Sequence, residues 1–339
     1  MITKNILISM LIILVLTLMI GNIFMFTVKE RATEKIIENK KPIRIGIINY
    51  PGFAPFYIAE EKGFFENQGV NAEVVLISDP NQAISLLESN DVQMLFSSAD
   101  FTPIVKDAGV DVKEIFASDI GYGSDGLLVK NDVNSIEDLK GKTIYLGKGY
   151  PSHFLFRFLT EQAGFENGDV TIVDMGADQV GAAFFSKQID YGMSWEPWLS
   201  KASERKDGRL FFSSKDIPGI ITDTFIVRTD ILESRNGDIK AVVRAWFDSI
   251  EFIESNPDEA NKIMAKNLGL PVEDFKLQIK TVRFLDYNQN LEKFGTSSKL
   301  NIHELTKKAV EIYKEDGIIT SEIDSNEIVD STLLNELYS

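Results

Sequence analysis

The segment Ser194-Trp195-Glu196-Pro197-Trp198 places two indoles around one carboxylate, on a backbone that Pro197 stiffens. Indole faces attract cations, and a carboxylate between them adds a full negative charge. The pattern suits recognition of an amine or a ring nitrogen. It equally suits a plain turn with both indoles in the core and Glu196 capping a helix, because Trp is heavily buried on average. Asp125 and Asp223 are further carboxylates at segment ends, each readable as a turn residue or as a contact for an ammonium group. Ser97, Ser98 and Asp100 follow an apolar run, where Ser either caps the next helix or offers its hydroxyl to an anion at that helix start. Gly147-Lys148-Gly149-Tyr150-Pro151-Ser152-His153 also opens a helix. It lacks the Gly-Lys-Ser/Thr ending of a phosphate-cradling loop, so a nucleotide is not expected there. A sulfonate, phosphonate or carboxylate at Ser152 and His153 remains open, while Lys148 reads as solvated. Tyr50 and Phe53 flank Pro51-Gly52, as cleft walls or as a turn with a core ring.

A catalytic reading finds little to hold. There is no Gly-x-Ser-x-Gly elbow and no His-Glu-x-x-His, and the two histidines, His153 and His303, form no triad. Glu196 and Asp223 could pair for glycoside chemistry, but nothing in the sequence requires it. The chain has no cysteine, which excludes disulfides, thiolate metal sites and a cysteine nucleophile. No cofactor and no metal is expected.

The elements that must carry these residues alternate. β-Branched and apolar runs at Ile43–Ile48, Ala72–Ile77, Val92–Phe96 and Val112–Ala117 are separated by helical stretches, which marks a mostly parallel sheet with helices on its faces. Gly121 to Gly126 breaks the pattern. It resumes with strands at Leu127–Val129, Thr143–Leu146, Asp169–Val173 and Ile189–Met193, and helices from Phe154 and Asp178 between them. Ile220–Val227 reads as a strand leading out of this second unit. From Thr229 the pattern turns helical, and the acidic tail after Gly317 is expected to pack loosely. The expected architecture is α/β and two-lobed. Residues 43–124 with 229–339 form lobe 1, and 125–228 form lobe 2 with a hinge strand at each end. The candidate residues fall beyond strand ends, where such sheets place ligands.

The N-terminus is the one membrane element. Ile6 to Val28 is long enough to span a bilayer, and no small-x-small cleavage site follows Gly21. An uncleaved anchor is expected over residues 1–41 with its tether, holding the body outside the cell membrane, with a cleaved signal peptide as the alternative. A formal net charge of −16 argues against nucleic acid as a partner.

Several motifs in order carry a resemblance. These are Pro51-Gly52 with Ala59-Glu60-Glu61-Lys62-Gly63-Phe64-Phe65, Ser97-Ser98, and Asp138-Leu139-Lys140-Gly141-Lys142. The Gly147–His153 loop follows, then Trp195-Glu196-Pro197-Trp198 and Ile217-Pro218-Gly219-Ile220-Ile221-Thr222-Asp223. From about Ile43 to about Tyr313 the chain resembles the substrate-binding proteins of ABC importers, in the nitrate/sulfonate/taurine group that includes the thiamine-precursor binders. The resemblance implies a type II periplasmic-binding-protein fold, a monomer that captures a small solute between its lobes, and an ABC permease and its ATPase as partners. It implies no catalysis and a site of Tyr50, Phe53, Ser97, Ser98, Asp100, Ser152, His153, Trp195, Glu196 and Asp223. The solute would be taurine- or sulfonate-like, with its anionic end near Ser98 and Ser152, or an amine or pyrimidine facing Trp195, Glu196 and Asp223. Two departures matter. Many Gram-positive relatives carry a lipid on an N-terminal Cys, which this chain lacks. The fungal thiamine-precursor synthases share the fold but depend on a Cys-rich motif, so an enzyme of that kind is an alternative without its key residues. A membrane-anchored solute sensor is the other.

Overall fold

The computed structural model describes residues 41–79, 82–196 and 198–338. The expected anchor and Pro197 lie outside them. No helix among the described residues is long and apolar enough to cross a membrane.

Among the described residues, eleven strands build two sheets: β1 (Ile43–Ile47), β2 (Ala72–Leu76), β3 (Met94–Ser98), β4 (Val112–Gly121), β5 (Asp125–Lys130), β6 (Thr143–Leu146), β7 (Thr171–Asp174), β8 (Tyr191–Trp195), β9 (Gly208–Ser213), β10 (Thr222–Arg228) and β11 (Val282–Phe284). The first sheet runs β11-β4-β10-β3-β1-β2 and the second β7-β6-β8-β5-β9. β1 is parallel to β2 and β3, while β10 lies antiparallel between β3 and β4. In the second sheet β6 is parallel to β7 and β8, and β5 is antiparallel to β8 and β9. The chain crosses between sheets from β4 to β5 and returns from β9 to β10.

Local sequence accounts for much of this. β1 carries Ile at every second position, and Ile43, Ile45 and Ile47 are fully buried. The helix Asn236–Ser255 places Ile239, Val242, Val243, Trp246 and Ile250 on one stripe at helical spacing. That stripe packs the Trp246 ring against Phe56 at 4.8 Å, and Phe56 in turn meets Phe225 of β10 at 4.9 Å. Ser135 and Asp138 form a reciprocal capping box over the 3-10 turn Ile136–Leu139.

Four elements differ from expectation. β4 continues to Gly121 because its last residues pair with both β10 and β11. β11 itself was not expected: its three residues carry too short a pattern to stand out. The helix expected from Phe154 starts at Pro151, whose missing N–H is harmless in a first turn. The tail after Gly317 does not pack loosely. Ile319, Ile328, Leu333 and Leu334 are buried, and Glu114 exchanges backbone hydrogen bonds with Ile328 and Asp330 at 2.9 Å.

Candidate functional site

A cleft of about 430 Å³ lies between the sheets, bordered by residues of both. From the first-sheet side come Ile48, Tyr50, Phe53, Phe96, Ser97, Ser98, Phe101, Ile221 and Asp223; from the second come Asp125, Gly147, Tyr150 to Ser152, Gly176 to Gln179 and Trp195. Most of this surface is aromatic or aliphatic. Its ionisable acids are Asp125, Asp178 and Asp223, and none of the lining residues is Lys, Arg or His.

The strand ends set these positions. Asp223 is the second residue of β10, paired across to Ser98 of β3 and to Asp119 of β4. Asp119 and Asp223 are cross-strand neighbours, and both are almost fully buried. Ser118 donates to Asp119 Oδ2 at 2.9 Å, and the Tyr50 hydroxyl approaches its Oδ1 at 3.4 Å. Gly52 makes room for this group: a Cβ there would come within 2.3 Å of both Asp119 Oδ2 and the Tyr50 ring. Burial pushes the Asp119 carboxyl up to about 7. Burial, then the charges of Asp119, Asp125 and Asp100, drive Asp223 well above the usual carboxylate range. Burial likewise raises the Tyr50 hydroxyl, with Asp119 adding to it.

Asp125 opens β5 directly after the crossing from β4. Ser152 donates to its Oδ1 at 2.8 Å and Ser124 to its Oδ2 at 2.9 Å. Burial raises this carboxyl despite both hydroxyls. At the second-sheet rim, Trp195 ends β8 and is 39% exposed. Its Nε1 donates to Asp178 Oδ1 at 2.8 Å, and Trp198 Nε1 reaches the same oxygen at 3.1 Å. The two indoles have separate roles. Trp195 faces the cleft, whereas Trp198 packs against Gly181, where a Cβ would lie 2.2 Å from its ring, and carries Lys201 Nζ over its face at 5.0 Å.

Of the residues expected at the site, Tyr50, Phe53, Ser97, Ser98, Ser152, Trp195 and Asp223 line the cleft. Three do not. Glu196 turns away to accept from Ser200 N at 3.1 Å and Ser200 Oγ at 2.9 Å, closing the start of the helix Trp198–Lys201. His153 is fully buried; its Nδ1 accepts from Gly149 N at 3.3 Å and its Nε2 lies 3.0 Å from Asp316 Oδ2. Because the helix starts at Pro151, His153 falls on its inner face, stacked against Tyr313. Asp100 sits beneath the cleft floor, where Tyr313 donates to its Oδ2 at 2.9 Å, and burial lifts it to about 6. Sequence reasoning missed Asp119, Asp178, Phe96, Phe101 and Tyr150. Carrying the β4 pattern on to Gly121 was the available signal for Asp119. Asp178 was visible as a carboxylate in a first helical turn after a strand.

The arrangement can grip a flat, partly apolar molecule and offer it carboxylates. It holds no nucleophile activated by a base, and no group of three or more potential metal ligands occurs among the described residues.

Comparison with known proteins agrees in fold and family. A Bacillus subtilis protein assigned to aliphatic-sulfonate binding is 26% identical over 307 residues, 87% of this chain and 88% of that one. The taurine-binding periplasmic protein of Escherichia coli is 28% identical over 218 residues, covering 61% and 67%. The crystal structure of the periplasmic aliphatic sulphonate-binding protein of Escherichia coli superposes with a TM-score of 0.70 at 16% identity, over 87% of this chain and 94% of that one. That likeness establishes the two-lobed periplasmic-binding-protein fold. The family described as NMT1/THI5 like matches residues 50–260, more than half of the sequence, and the chain belongs to it.

Proposed function

We propose that this chain is the extracytoplasmic solute-binding protein of an ABC importer, which captures a small molecule between its lobes and delivers it to a membrane permease. One observation carries the reading: a cleft of about 430 Å³, sized for a small solute, opens where the chain crosses between two sheets and is lined by both. Such a two-strand connection permits closure on a ligand. The binding-protein relatives support the same class. The side chains proposed to meet the solute are Tyr50, Phe53, Ser97, Ser98, Ser152, Trp195 and Asp223, joined by Asp125, Phe96, Phe101 and Tyr150. In this reading Ile6–Val28 holds the body at the outer face of the membrane, and the protein acts as a monomer. The relatives that support this reading are named as binding proteins, and a chain without cysteine lacks the Cys-rich motif of the thiamine-precursor synthases.

The test is thermal unfolding of the purified protein against a panel of small solutes, followed by uptake of any hit in cells with and without the gene. A ligand at 100 times its dissociation constant stabilises by about 2.7 kcal/mol. Loss of uptake on deletion supports an importer. Binding with undiminished uptake overturns the transport role and favours a sensor.

A further inference from the structure

We propose that the cleft takes an organic cation and releases a proton as it does so: the N–H groups of the ligand enter at Asp223 and replace the proton that Asp223 and Asp119 share in the empty protein. This rests on the solute-binding reading above and names the ligand class of that same cleft.

The charge inventory comes first. Asp125, Asp178 and Asp223 line the cleft, and no basic side chain does. The hydroxyls of Ser124 and Ser152 both donate to Asp125, so those protons are not free for an anion. A sulfonate or nitrate at this end would meet carboxylates with no cation to hold it.

The state of Asp223 is the second, independent observation. Its side chain is only 8% exposed and borders the cleft. It faces Asp119 across the β10–β4 pair, and the hydroxyls of Ser118 and Tyr50 are spent on Asp119. Two neighbouring buried carboxyls hold one proton between them rather than two negative charges. The titratable groups around the pair are Tyr50 after β1, Asp100 after β3 and Asp125 on β5, all acidic or neutral. On β11, Arg283 is engaged 4.4 Å above the Tyr122 ring, and Lys293 of the helix Tyr287–Phe294 donates to Gly219 O at 3.0 Å. Ser118 and Tyr50 offer Asp119 hydroxyls but no charge, and the raised affinity of both carboxyls for a proton agrees with that.

A ligand N–H group at Asp223 supplies what is missing. The charge balance closes: one positive charge enters, one proton leaves to solvent, and the pair becomes doubly ionised beside the cation. The walls suit such a guest. Tyr50, Phe53, Phe96 and Trp195 present aromatic surface around the acidic end, favourable to an organic cation and unhelpful to a bare inorganic one.

The experiment uses the full chain in detergent and matched probes: benzamidinium, 2-phenylethylammonium, 4-aminopyridinium and butane-1,4-diammonium, against neutral benzamide and the anions benzenesulfonate and nitrate. Binding is read by thermal unfolding and by titration calorimetry in two buffers of different protonation enthalpy. At least one cation is expected to bind, with about one proton released per site and affinity rising about tenfold per pH unit between roughly pH 5 and 7. Asp223→Asn should weaken that cation at least tenfold. Asp119→Asn should keep binding while flattening its pH dependence, a readout that a purely structural role would leave unmoved. Tighter binding of an anion overturns the inference and leaves the solute-binding role standing. Cation binding without proton release, or no binding by any of the cations, overturns it as well.

Discussion

The two walls of the cleft treat negative charge in opposite ways. On the first-sheet wall, Asp100, Asp119, Asp223 and Glu114 are buried, and burial raises each of them. On the second-sheet side Asp125 is buried and raised in the same way beside the crossing from β4, but at the rim and just beyond it Asp178 and Glu196 lie near solvent and spend their oxygens on local geometry: Asp178 orients two indoles, and Glu196 closes a helix start. An exposed carboxylate keeps its charge cheaply and can serve as a bracket. A buried one must keep a proton, gather hydroxyls or meet a cation. Four predictions probe this division, taken from the largest expected effect downward.

Glu114 is a buried acid held by three hydroxyls. Thr224 and Thr102 donate to its Oε1 at 2.7 and 2.8 Å, and Thr306 to its Oε2 at 3.2 Å. These threonines come from β10, from the helix Thr102–Asp107 and from the helix Ile302–Glu315, so one side chain of β4 ties a neighbouring strand, an early helix and a C-terminal helix together. Glu114→Ala leaves the buried hydroxyls of Thr224 and Thr306 without this acceptor, while Thr102 can still turn to Ser98 O at 3.1 Å, and should cost about 3–5 kcal/mol in urea unfolding. Glu114→Gln keeps an acceptor and should cost about 1 kcal/mol. Equal losses for the two variants would mean that packing, not hydrogen bonding, sets this wall.

The Asp119–Asp223 pair should make stability depend on pH. In the unfolded chain an Asp gives up its proton near pH 4, whereas Asp119 in the folded protein holds on to about 7. Between those values the folded state binds more protons than the unfolded one, so stability falls as pH rises through the window. Glu114, also raised to about 7, and Asp100, raised to about 6, act in the same direction. Asp119→Asn should therefore be more stable than the parent at pH 8, by up to a few kcal/mol, and should lose part of the slope between pH 5 and 8. An unchanged slope in this variant would place the shared proton elsewhere.

On the other wall the effects should be smaller and should fall on binding. Trp195 is 39% exposed and held by one hydrogen bond to Asp178. Trp195→Ala should change stability by less than about 1 kcal/mol. It should weaken an organic cation by about 1–2 kcal/mol, roughly tenfold, through loss of the indole face. Asp178→Asn, which leaves an acceptor oxygen for the indoles, should have a smaller effect on the same titration. If Trp195→Ala destabilised the protein strongly, the indole would belong to the fold and the comparison would fail.

What the sequence made legible follows the same division. The alternation of strands and helices, the two crossings and the Trp195 position are local signals, and each can be read from a short segment. The orientation of Asp100, His153 and Glu196 is not local. His153 turns inward because its helix starts at Pro151 and because Tyr313 and Asp316, more than 150 residues away, stand behind it. Asp119 escaped notice because β4 reaches Gly121 only through pairing with β10 and β11, the latter a strand of three residues. The tail shows the same effect: its acidic composition suggests loose packing, but Ile328, Leu333 and Leu334 find a surface the rest of the chain has already built.

Glu196 gives the smallest expected effect and the sharpest discrimination. By sequence it stands between two indoles and invites assignment as the partner of a cationic ligand. In the structure its two oxygens accept from Ser200 N and Ser200 Oγ, and it does not border the cleft. Glu196→Gln keeps an acceptor for either donor, so stability should change by less than about 1 kcal/mol, and Glu196→Ala by about 1 kcal/mol, as for loss of a helix cap. Affinity for an organic cation should stay within about twofold in both variants. A direct ion pair with the ligand would instead cost at least about 1.5 kcal/mol on neutralisation, more than tenfold in calorimetry. That larger loss would mean that Glu196 leaves Ser200 when the lobes close, and that the second-sheet wall supplies charge to the ligand rather than geometry alone.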